Sequence, residues 1–548
     1  MKQMKRYWLL LIALILPLTF AGAHPAQRFA TQGDDEMAMR KKIAEDFAEA
    51  VLKAKDNFAG TVDYEKLTKA SVLGMLRTLD PHSSYFDRKE WEQFQNDQSS
   101  RYFGIGSTIA QRNDKVYIMS PFDGTPAHRG GIRYGDQIAE INGESTEGWT
   151  STQVSSKLIG PEGTPVTVKV RRAGVAQPVE FKFIREAVPL PSVSNYYLAP
   201  NGVGYINFDR GFNTTSYKEI QDALADLQRQ GMTALVFDLR GNRGGLVDQA
   251  QKIANLFLYK DQKIVSMRGR PTVFPERIYK ANNPSPLDFP VVVLINRGSA
   301  SAAEILAGAL QDHDRAVIVG ETSFGKGLVQ SVFPLRDGSG LTLTTGHFYT
   351  PSGRLIQRDY SGRSFYDYYL KRGDKEAVQR TEEKKTDTGR TVYGGGGIDP
   401  DVVEKVRITP KELEMQRAWF EPVFEFVHQL AAGQISGFPE YKVEKPADHH
   451  HRLQASEYQV SDKLMAAFKT FMTERKDLKA DVSRIDRESD FLKRWIRYEL
   501  VTAAYGTETA FQVLLETDNQ VQKAIAEIPK ARMMAEDARR TRASRNNE

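Results

Sequence analysis

The spacing of apolar residues changes several times along the chain and divides it into segments. From residue 36 to about 96, apolar residues recur at spacings of three and four, as at Ile43 and Phe47, which predicts helices. Residues 101–186 alternate apolar and polar positions between turn dipeptides, which predicts a small β-rich unit. Residues 401–548 return to long amphipathic stretches with helical spacing.

The segment between them, 187–400, predicts alternating strands and helices. The stretches "TALVFDLRGNRGG" (233–245), "PVVVLINRGSASAAEILAGALQDH" (290–313) and "RAVIVG" (315–320) each contain a short apolar run. The first two of these runs lead into loops of glycine and small residues. α/β folds build their sites at the carboxyl ends of such strands. The polar, glycine-rich stretch 363–397 predicts a mobile excursion from this unit.

Composition narrows the function classes. With 548 residues the chain is long enough for three or four domains. A net charge of +5 is small for this length and gives no strong case for nucleic-acid binding. The chain has no cysteine, which excludes disulfides, thiolate metal sites, a cysteine nucleophile and a lipoprotein-type anchor.

The first 23 residues have the pattern of a secretory signal peptide. "MKQMKR" supplies three positive charges, "YWLLLIALILPLTF" follows as an apolar run, and "AGA" ends it, so cleavage is expected after Ala23. The alternative is an uncleaved membrane anchor, for which an apolar run of about 14 residues is shorter than the roughly 20 required. We therefore expect an exported protein of the periplasm or cell envelope, with no stable membrane span after cleavage.

The stretch "GETSFGKG" (320–327) nearly matches a phosphate-binding loop, because Gly320, Gly325 and Lys326 fit G-x-x-x-x-G-K. Such a loop requires Ser or Thr at position 327, where this chain has Gly327, and it must open a helix. The following "LVQSVFPL" predicts a strand instead. A nucleotide hydrolase is thus a weak alternative.

Ser301 and Lys326 are the candidate catalytic pair, and each has a plainer interpretation. "GSASAAE" (298–304) can form a sharp strand-to-helix turn that exposes a nucleophilic serine, but Ser301 and Glu304 also match a capping box. Lys326 can act as a base if burial keeps its amine neutral, or it can be a solvated loop residue. The residues alone leave both questions open.

The histidines have plainer interpretations too. His82, in "LDPHSSYFD", is interpreted as a turn residue bonded to backbone. The adjacent histidines 449–451 lack the i,i+4 spacing of a helical metal site, so no metal is expected.

Two motifs in the β-rich unit resemble a PDZ domain. "FGIG" (103–106) resembles the loop whose backbone N–H groups receive a peptide's C-terminal carboxylate. "GGIRYGDQIAEING" (130–143) resembles the following helix, turn and strand of circularly permuted bacterial versions. The resemblance implies that the substrate's C-terminus binds at four residues: Phe103, Gly104, Ile105 and Gly106.

Further motifs resemble the C-terminal processing peptidases, also called tail-specific serine proteases. They are "DLRGNRGG", "NRGSASAAEILAGALQD", "VGETSFGKGLVQ" and, before the PDZ-like unit, "YEKLTKASVLGMLRTLDPHSSYFDRKEWEQF". The resemblance covers roughly residues 40–360, and "GGGGIDPD" (394–401) matches again later.

This resemblance implies a multidomain α/β protein with a ClpP/crotonase-like α/β protease core and an inserted β-rich PDZ domain. The expected divisions are a signal peptide (1–23), an N-terminal helical region (24–100), the PDZ domain (101–186), the serine protease core (187–400) and a C-terminal helical region (401–548).

The resemblance also assigns roles by position. Ser301 becomes the nucleophile, Lys326 the general base and Gln330 the residue that orients Lys326. The N–H groups of Ala302 and Gly244 form the oxyanion hole, with Gly245 a near-equal choice to Gly244. The implied reaction is endopeptidase cleavage through an acyl-enzyme, without metal or cofactor, on proteins or peptides with apolar C-termini.

Three points remain open at this stage. A catalytically inactive PDZ binding scaffold is the alternative function. Ile159, in "KLIGPEGTPV", replaces an arginine that links PDZ ligand to activity in parts of the family, which puts a simple ligand switch in doubt. The C-terminal helices predict a homodimer or higher oligomer, docking of a partner, or equally intramolecular packing.

Overall fold

A computed structural model describes most of the chain. The described residues are 26–98, 101–361, 367–368, 380, 382–407, 409–449 and 451–545. The predicted signal peptide, residues 1–23, lies outside them. The chain divides into two compact units, 1–74 and 75–548. The first unit contains α1 (Ala26–Asn57) and most of α2 (Tyr64–Arg77).

The β-rich unit is present as predicted. After β1 (Ser84–Phe86) and α3 (Arg88–Gln98), its elements are β2 (Arg101–Gly104), β3 (Ser107–Arg112), β4 (Lys115–Pro121), α4 (Pro126–Arg129), β5 (Gln137–Ile141), β6 (Glu144–Ser145), α5 (Ser151–Leu158), β7 (Pro165–Arg171), β8 (Val179–Ile184) and β9 (Glu186–Pro189). An antiparallel sheet has the order β3-β4-β5-β7-β8, with β6 on β5, and β2 pairs with β9. Apolar residues alternate because only one side of each strand faces the core, as in the burial pattern of β7.

The α/β unit follows. Its elements are β10 (Asn195–Ala199), β11 (Val203–Asn207), α6 (Ser216–Arg229), β12 (Ala234–Asp238), α7 (Val247–Asn255), β13 (Lys263–Gly269), β14 (Arg277–Lys280), β15 (Val291–Ile295), α8 (Ala302–Asp312), β16 (Ala316–Gly320), β17 (Leu328–Pro334), β18 (Gly340–Tyr349), β19 (Glu383–Lys385), β20 (Thr391–Tyr393) and β21 (Val402–Val403).

The central sheet of this unit positions the candidate site. Its order is β10-β11-β12-β15-β16-β21, and all its neighbours are parallel except β10 and β11. The strands β12, β15 and β16 are buried along their whole length, which explains their unbroken apolar runs. The loops with the glycines near 244, Ser301 and Lys326 follow the carboxyl ends of these three strands.

A second sheet lies beyond the last of these loops. Its order is β1-β18-β13-β14, and β17 pairs with β18. β17 begins two residues after Lys326, so the chain continues as a strand and not as the helix of a phosphate-binding loop. Within the predicted mobile excursion, the described residues 382–397 instead include a hairpin of β19 and β20.

The C-terminal helices pack within the molecule. They are α9 (Pro410–Ala431), α10 (Asp462–Glu474), α11 (Ser489–Leu515), α12 (Asn519–Ala526) and α13 (Ile528–Arg545). The first three share an apolar core of their own, around Trp419 and Phe468. The last two cover one face of the central sheet, where Val521 and Ala524 contact its strands, while α6, α7 and α8 cover the other face. The part of the C-terminal region that forms α12 and α13 thus completes the core of the α/β unit.

The C-terminal helices α9 and α11 contact the β-rich unit. Arg112, at the end of β3, lies 3.8 Å from the Glu499 carboxylate, and both side chains are almost fully buried. Tyr134 donates to Glu499 at 2.7 Å, and Tyr117 stacks edge-on against Phe424. No helix in the described part of the chain is long and apolar enough to cross a membrane.

Candidate active site

Ser301 is held in a strained backbone conformation at the start of α8. Its φ of 56° and ψ of −115° are unusual for any residue with a side chain and carry a strain of order 1–3 kcal/mol. Gly244 lies directly against it, because a Cβ at Gly244 would come within 2.7 Å of the Ser301 Cβ. Only glycine fits this approach of the two loops, which explains the glycine-rich sequence after β12.

Lys326 contacts Gln330, the residue to which the family resemblance assigns its orientation. The Lys326 Nζ donates to the Gln330 Oε1 at 2.7 Å. A register shift in β17 between Val329 and Gln330 adjusts which residues share a face of the strand. Gly327 between them has no room for a side chain, since a Cβ would lie 2.9 Å from the backbone nitrogen of Gln357.

The surroundings of Lys326 favour a neutral amine. Burial lowers the pKa of Lys326 below its ordinary value, and the carboxylates of Glu304 and Asp80 oppose this shift only in part. Lys326 is therefore not a freely solvated loop residue.

Glu304 connects the loop of Ser301 to the loop of Lys326. Its carboxylate is fully buried and accepts four hydrogen bonds, from the backbone N–H of Ser301 (2.8 Å), Gly325 (2.7 Å) and Lys326 (2.9 Å) and from the Ser323 hydroxyl (2.5 Å). Burial raises the pKa of Glu304, and these hydrogen bonds oppose the shift. The Glu304 half of the capping box is thus present, and the same carboxylate also fixes the loop of the lysine.

The turn at residues 80–83 also belongs to this site. The His82 carbonyl accepts a hydrogen bond of 2.6 Å from Gln330 Nε2, and the His82 ring lies against Phe324 and Tyr368. Burial, together with the positive charges of Lys326 and Arg358, lowers the pKa of His82 to about 3. The backbone N–H groups of His82 and Ser83 bond the Asp80 side chain, as in a turn, and the turn lies beside Gln330, the partner of Lys326.

The predicted oxyanion donors differ in their surroundings. Within the described residues, the N–H groups of Ala302 and Gly245 have no hydrogen-bond acceptor. The N–H of Gly244 donates to the Asn242 side chain at 2.9 Å. In this conformation, the N–H of Gly244 would have to share or release that bond before it could stabilise an oxyanion. The N–H of Gly245 would not have to give up a bond.

The predicted carboxylate-binding loop, residues 103–106, connects β2 to β3. Gly106 has a φ of 76°, and a Cβ there would lie 2.5 Å from the Thr125 side chain. The carbonyl of Ile105 accepts from the N–H of Ala127. Because the peptide bond is trans, the N–H of Gly106 points the opposite way. The N–H of Gly106 therefore points away from Ala127, and binding of a carboxylate at this loop stays a prediction.

Position 159 is an exposed isoleucine at the end of α5. The carbonyls at this helix end are instead bonded by Arg185, which donates to Lys157 O at 2.8 Å and to Leu158 O at 3.0 Å. Arg185 is buried and also bonds the carbonyl of Pro165. The helix that borders the loop 103–106 is therefore anchored by an arginine from elsewhere in the sequence.

His449 and His451 have ordinary structural contacts, whereas His450 lies outside the described residues. His449 packs edge-on against His128 across the contact with the β-rich unit, and His451 pairs with Glu457 at 2.9 Å. No group of three or more potential metal ligands occurs within the described ranges.

Comparison with known proteins identifies the family. Residues 202–362 match the model of peptidase family S41, and residues 93–171 match the model of the PDZ domain. A carboxy-terminal-processing protease of Bartonella bacilliformis is 37% identical over 328 residues, which are 59% of this chain and 74% of that protein. The chain belongs to the carboxy-terminal processing proteases.

A second relative agrees with this membership, and a solved structure is also similar to the chain. The carboxy-terminal processing protease CtpA of Bacillus subtilis is 32% identical over 65% of this chain and 76% of its own length. Among solved structures, the photosystem II D1 C-terminal processing protease is 26% identical and covers 66% of this chain and 87% of its own, with a TM-score of 0.33. The chain is a serine peptidase with an S41 core and a PDZ domain, and its substrates are proteins or peptides.

Sequence reasoning missed part of the site. Glu304 was interpreted only as a possible cap, and His82 only as a turn residue, although Lys326 and Gln330 bring both into the site. Tyr368, which is buried beside His82, gave no signal in its polar sequence surroundings. The sequence signal that could have indicated a carboxylate shared by the two loops is Glu304, an acidic residue three positions after Ser301.

Proposed function

We propose that this chain is an exported endopeptidase that binds protein C-termini at its PDZ loop and cleaves peptide bonds by a Ser301–Lys326 mechanism. The observation that supports it most is the partly buried amine of Lys326, which bonds Gln330, while Glu304 bonds the backbone of both Lys326 and Ser301. The targets are proteins of the periplasm or cell envelope, as the N-terminal signal pattern suggests.

In this mechanism the neutral amine of Lys326 takes the proton of the Ser301 hydroxyl as the oxygen attacks the scissile carbonyl. The N–H of Ala302, with that of Gly244 or Gly245, stabilises the oxyanion. The tetrahedral intermediate then collapses, the ammonium of Lys326 protonates the leaving amine, and an acyl-enzyme remains on Ser301. Water, deprotonated by Lys326, hydrolyses this ester and restores both residues.

The PDZ domain supplies selectivity for chain ends. The loop 103–106 would bind the terminal carboxylate through its N–H groups, and the edge of β3 would take the substrate's last residues as an added strand. An apolar last side chain would then face the apolar interior near Ile105, which is buried, and α5.

Cleavage of an unfolded protein that ends in apolar residues tests the proposal. The mature chain should cleave it, whereas Ser301→Ala and Lys326→Arg should lose nearly all activity, because arginine cannot deprotonate near neutral pH. The same substrate with a charged C-terminal tail is the control for PDZ recognition and should be cleaved more slowly. Equal cleavage by the parent chain and Ser301→Ala would contradict the assignment of the nucleophile.

A further inference from the structure

A buried turn at residues 80–83 packs against the catalytic lysine's partner. Asp80 Oδ1 accepts from the backbone N–H of His82 (2.7 Å) and of Ser83 (2.8 Å), and Asp80 Oδ2 accepts from the Ser83 hydroxyl (2.6 Å). The Ser83 hydroxyl oxygen in turn accepts from the backbone N–H of Thr344 in β18 (3.2 Å). These bonds fix the direction of the His82 carbonyl relative to the second sheet.

That carbonyl determines which end of the Gln330 amide faces Lys326. A carbonyl oxygen only accepts hydrogen bonds, so the Gln330 NH₂ group turns toward His82, at 2.6 Å. The Gln330 oxygen is then left to accept from Lys326, at 2.7 Å.

The orientation matters for a lysine that acts as a base. A neutral amine has two N–H bonds and one lone pair. When one N–H is held by Gln330 Oε1, the lone pair remains available to a serine hydroxyl. A reversed amide would donate an N–H to that lone pair and block proton transfer.

The His82 side chain is connected by hydrogen bonds to the loop of Lys326. Its Nε2 lies 3.0 Å from the hydroxyl of Tyr368, which also accepts from Gln357 Nε2 at 3.2 Å. The oxygen of Gln357 accepts from the N–H of Gly327, directly after the lysine. The charged groups acting on the ring are Asp80, Lys326 and Arg358, and their balance with burial keeps it neutral near pH 7.

We propose that the turn 80–83 is a positioning element for the lysine base. The His82 carbonyl sets the orientation of the Gln330 amide, and the His82 ring is linked through Tyr368 and Gln357 to the backbone of Gly327, next to Lys326. This inference rests on the proposed roles of Ser301 and Lys326, and it assigns no proton transfer to His82.

A double-mutant cycle on the mature full-length chain tests it, with Asp80→Ala, Gln330→Ala and the double variant. Each single variant should reduce kcat about 10- to 100-fold, the range for a misplaced reacting group, with KM unchanged. The kcat of the double variant should be no lower than that of the slower single variant. Asp80→Ala acts only through the orientation of the Gln330 amide, and in the double variant that amide is already absent. Asp80→Asn keeps the oxygen that accepts from His82 and Ser83 and should recover most of the activity.

Asp337→Ala is the matched control. Asp337 accepts from the N–H and hydroxyl of Ser339 in the turn between β17 and β18, at the far end of the strand that carries Gln330. Its loss should leave kcat unchanged. If Asp80→Ala does not fold by circular dichroism, Ser83→Ala replaces it in the cycle with the same expectation.

The possible failures are distinguishable. The positioning role would be overturned if the kcat losses of the two single variants multiplied in the double variant, or if only KM changed. In either case Ser301→Ala would stay inactive, so the proposed mechanism would still stand. Full activity in Ser301→Ala would overturn the proposed mechanism and this inference with it.

Discussion

Replacing Glu304 by glutamine tests how tightly one buried carboxylate couples the two catalytic loops. Its Oε1 accepts from Ser323 and Gly325, and its Oε2 from Ser301 and Lys326. Glutamine has one acceptor end, so its NH₂ group must face one of these two pairs of donors. Facing Ser301 and Lys326 would leave two backbone N–H groups without an acceptor.

The less costly arrangement places the NH₂ on the side of Ser323, whose hydroxyl can rotate to accept. The N–H of Gly325 then loses its acceptor, which costs about 1–3 kcal/mol for a buried donor. We expect a decrease in Tm of about 2–10 °C. Because Gly325 precedes Lys326, we also expect kcat to fall about 100-fold through displacement of the lysine.

The control is Glu488→Gln in the C-terminal helices. Glu488 is also buried and accepts from Trp419 Nε1 at 2.6 Å and from Arg484 Nε at 2.9 Å. The Glu488→Gln variant should lose about as much stability as Glu304→Gln and should keep the kcat of the parent chain. Thermal melts and initial rates on the same unfolded substrate decide the outcome. An equal loss of kcat in both variants, or full activity in Glu304→Gln, would refute the reasoning.

Three further predictions concern separate parts of the molecule. The kcat/KM should rise with pH through the lowered pKa of Lys326 and fall below it, since only the neutral amine accepts the serine proton; a pH–rate profile without this limb would contradict a lysine base. Gly106→Ala should weaken binding of a labelled peptide with an apolar C-terminus at least about tenfold in fluorescence anisotropy, because a Cβ at φ 76° meets Thr125. Ala524→Asp should destabilise the fold by at least about 3 kcal/mol by placing an unpaired charge against the central sheet, whereas Gln522→Asp on the exposed side of α12 should not, as chemical denaturation would show.

Local patterns predicted the secondary structure around the site because each strand there is short, apolar and buried on both faces. The loop of small residues before α8 predicted a tight turn, and in the structure Ser301 has a φ of 56° and lies close to Gly244. The pairing of Lys326 with Gln330 was suggested by the family resemblance, and not by the spacing of four residues, which in an extended strand would hold the two side chains apart.

Long-range contacts were not accessible in the same way. The bond between Gln330 and His82 joins residues 248 positions apart, and it depends on how β1 and β17 flank β18. From the sequence, the apolar residues of α12 and α13 could equally pack in a dimer interface or within the molecule. The structure shows that they cover the second face of the central sheet. Periodicity shows that a face is buried but does not identify what covers it.

Trapping of the acyl-enzyme tests the central claim most directly. The mature chain is mixed with an unfolded substrate that has an apolar C-terminus, the reaction is quenched with acid within milliseconds to seconds, and peptides of the enzyme are analysed by mass spectrometry. We expect the peptide containing Ser301 to carry the mass of a substrate fragment through an ester, and Ser301→Ala to carry none. Substrate turnover with no adduct at Ser301, or with the adduct on another residue, would contradict the account.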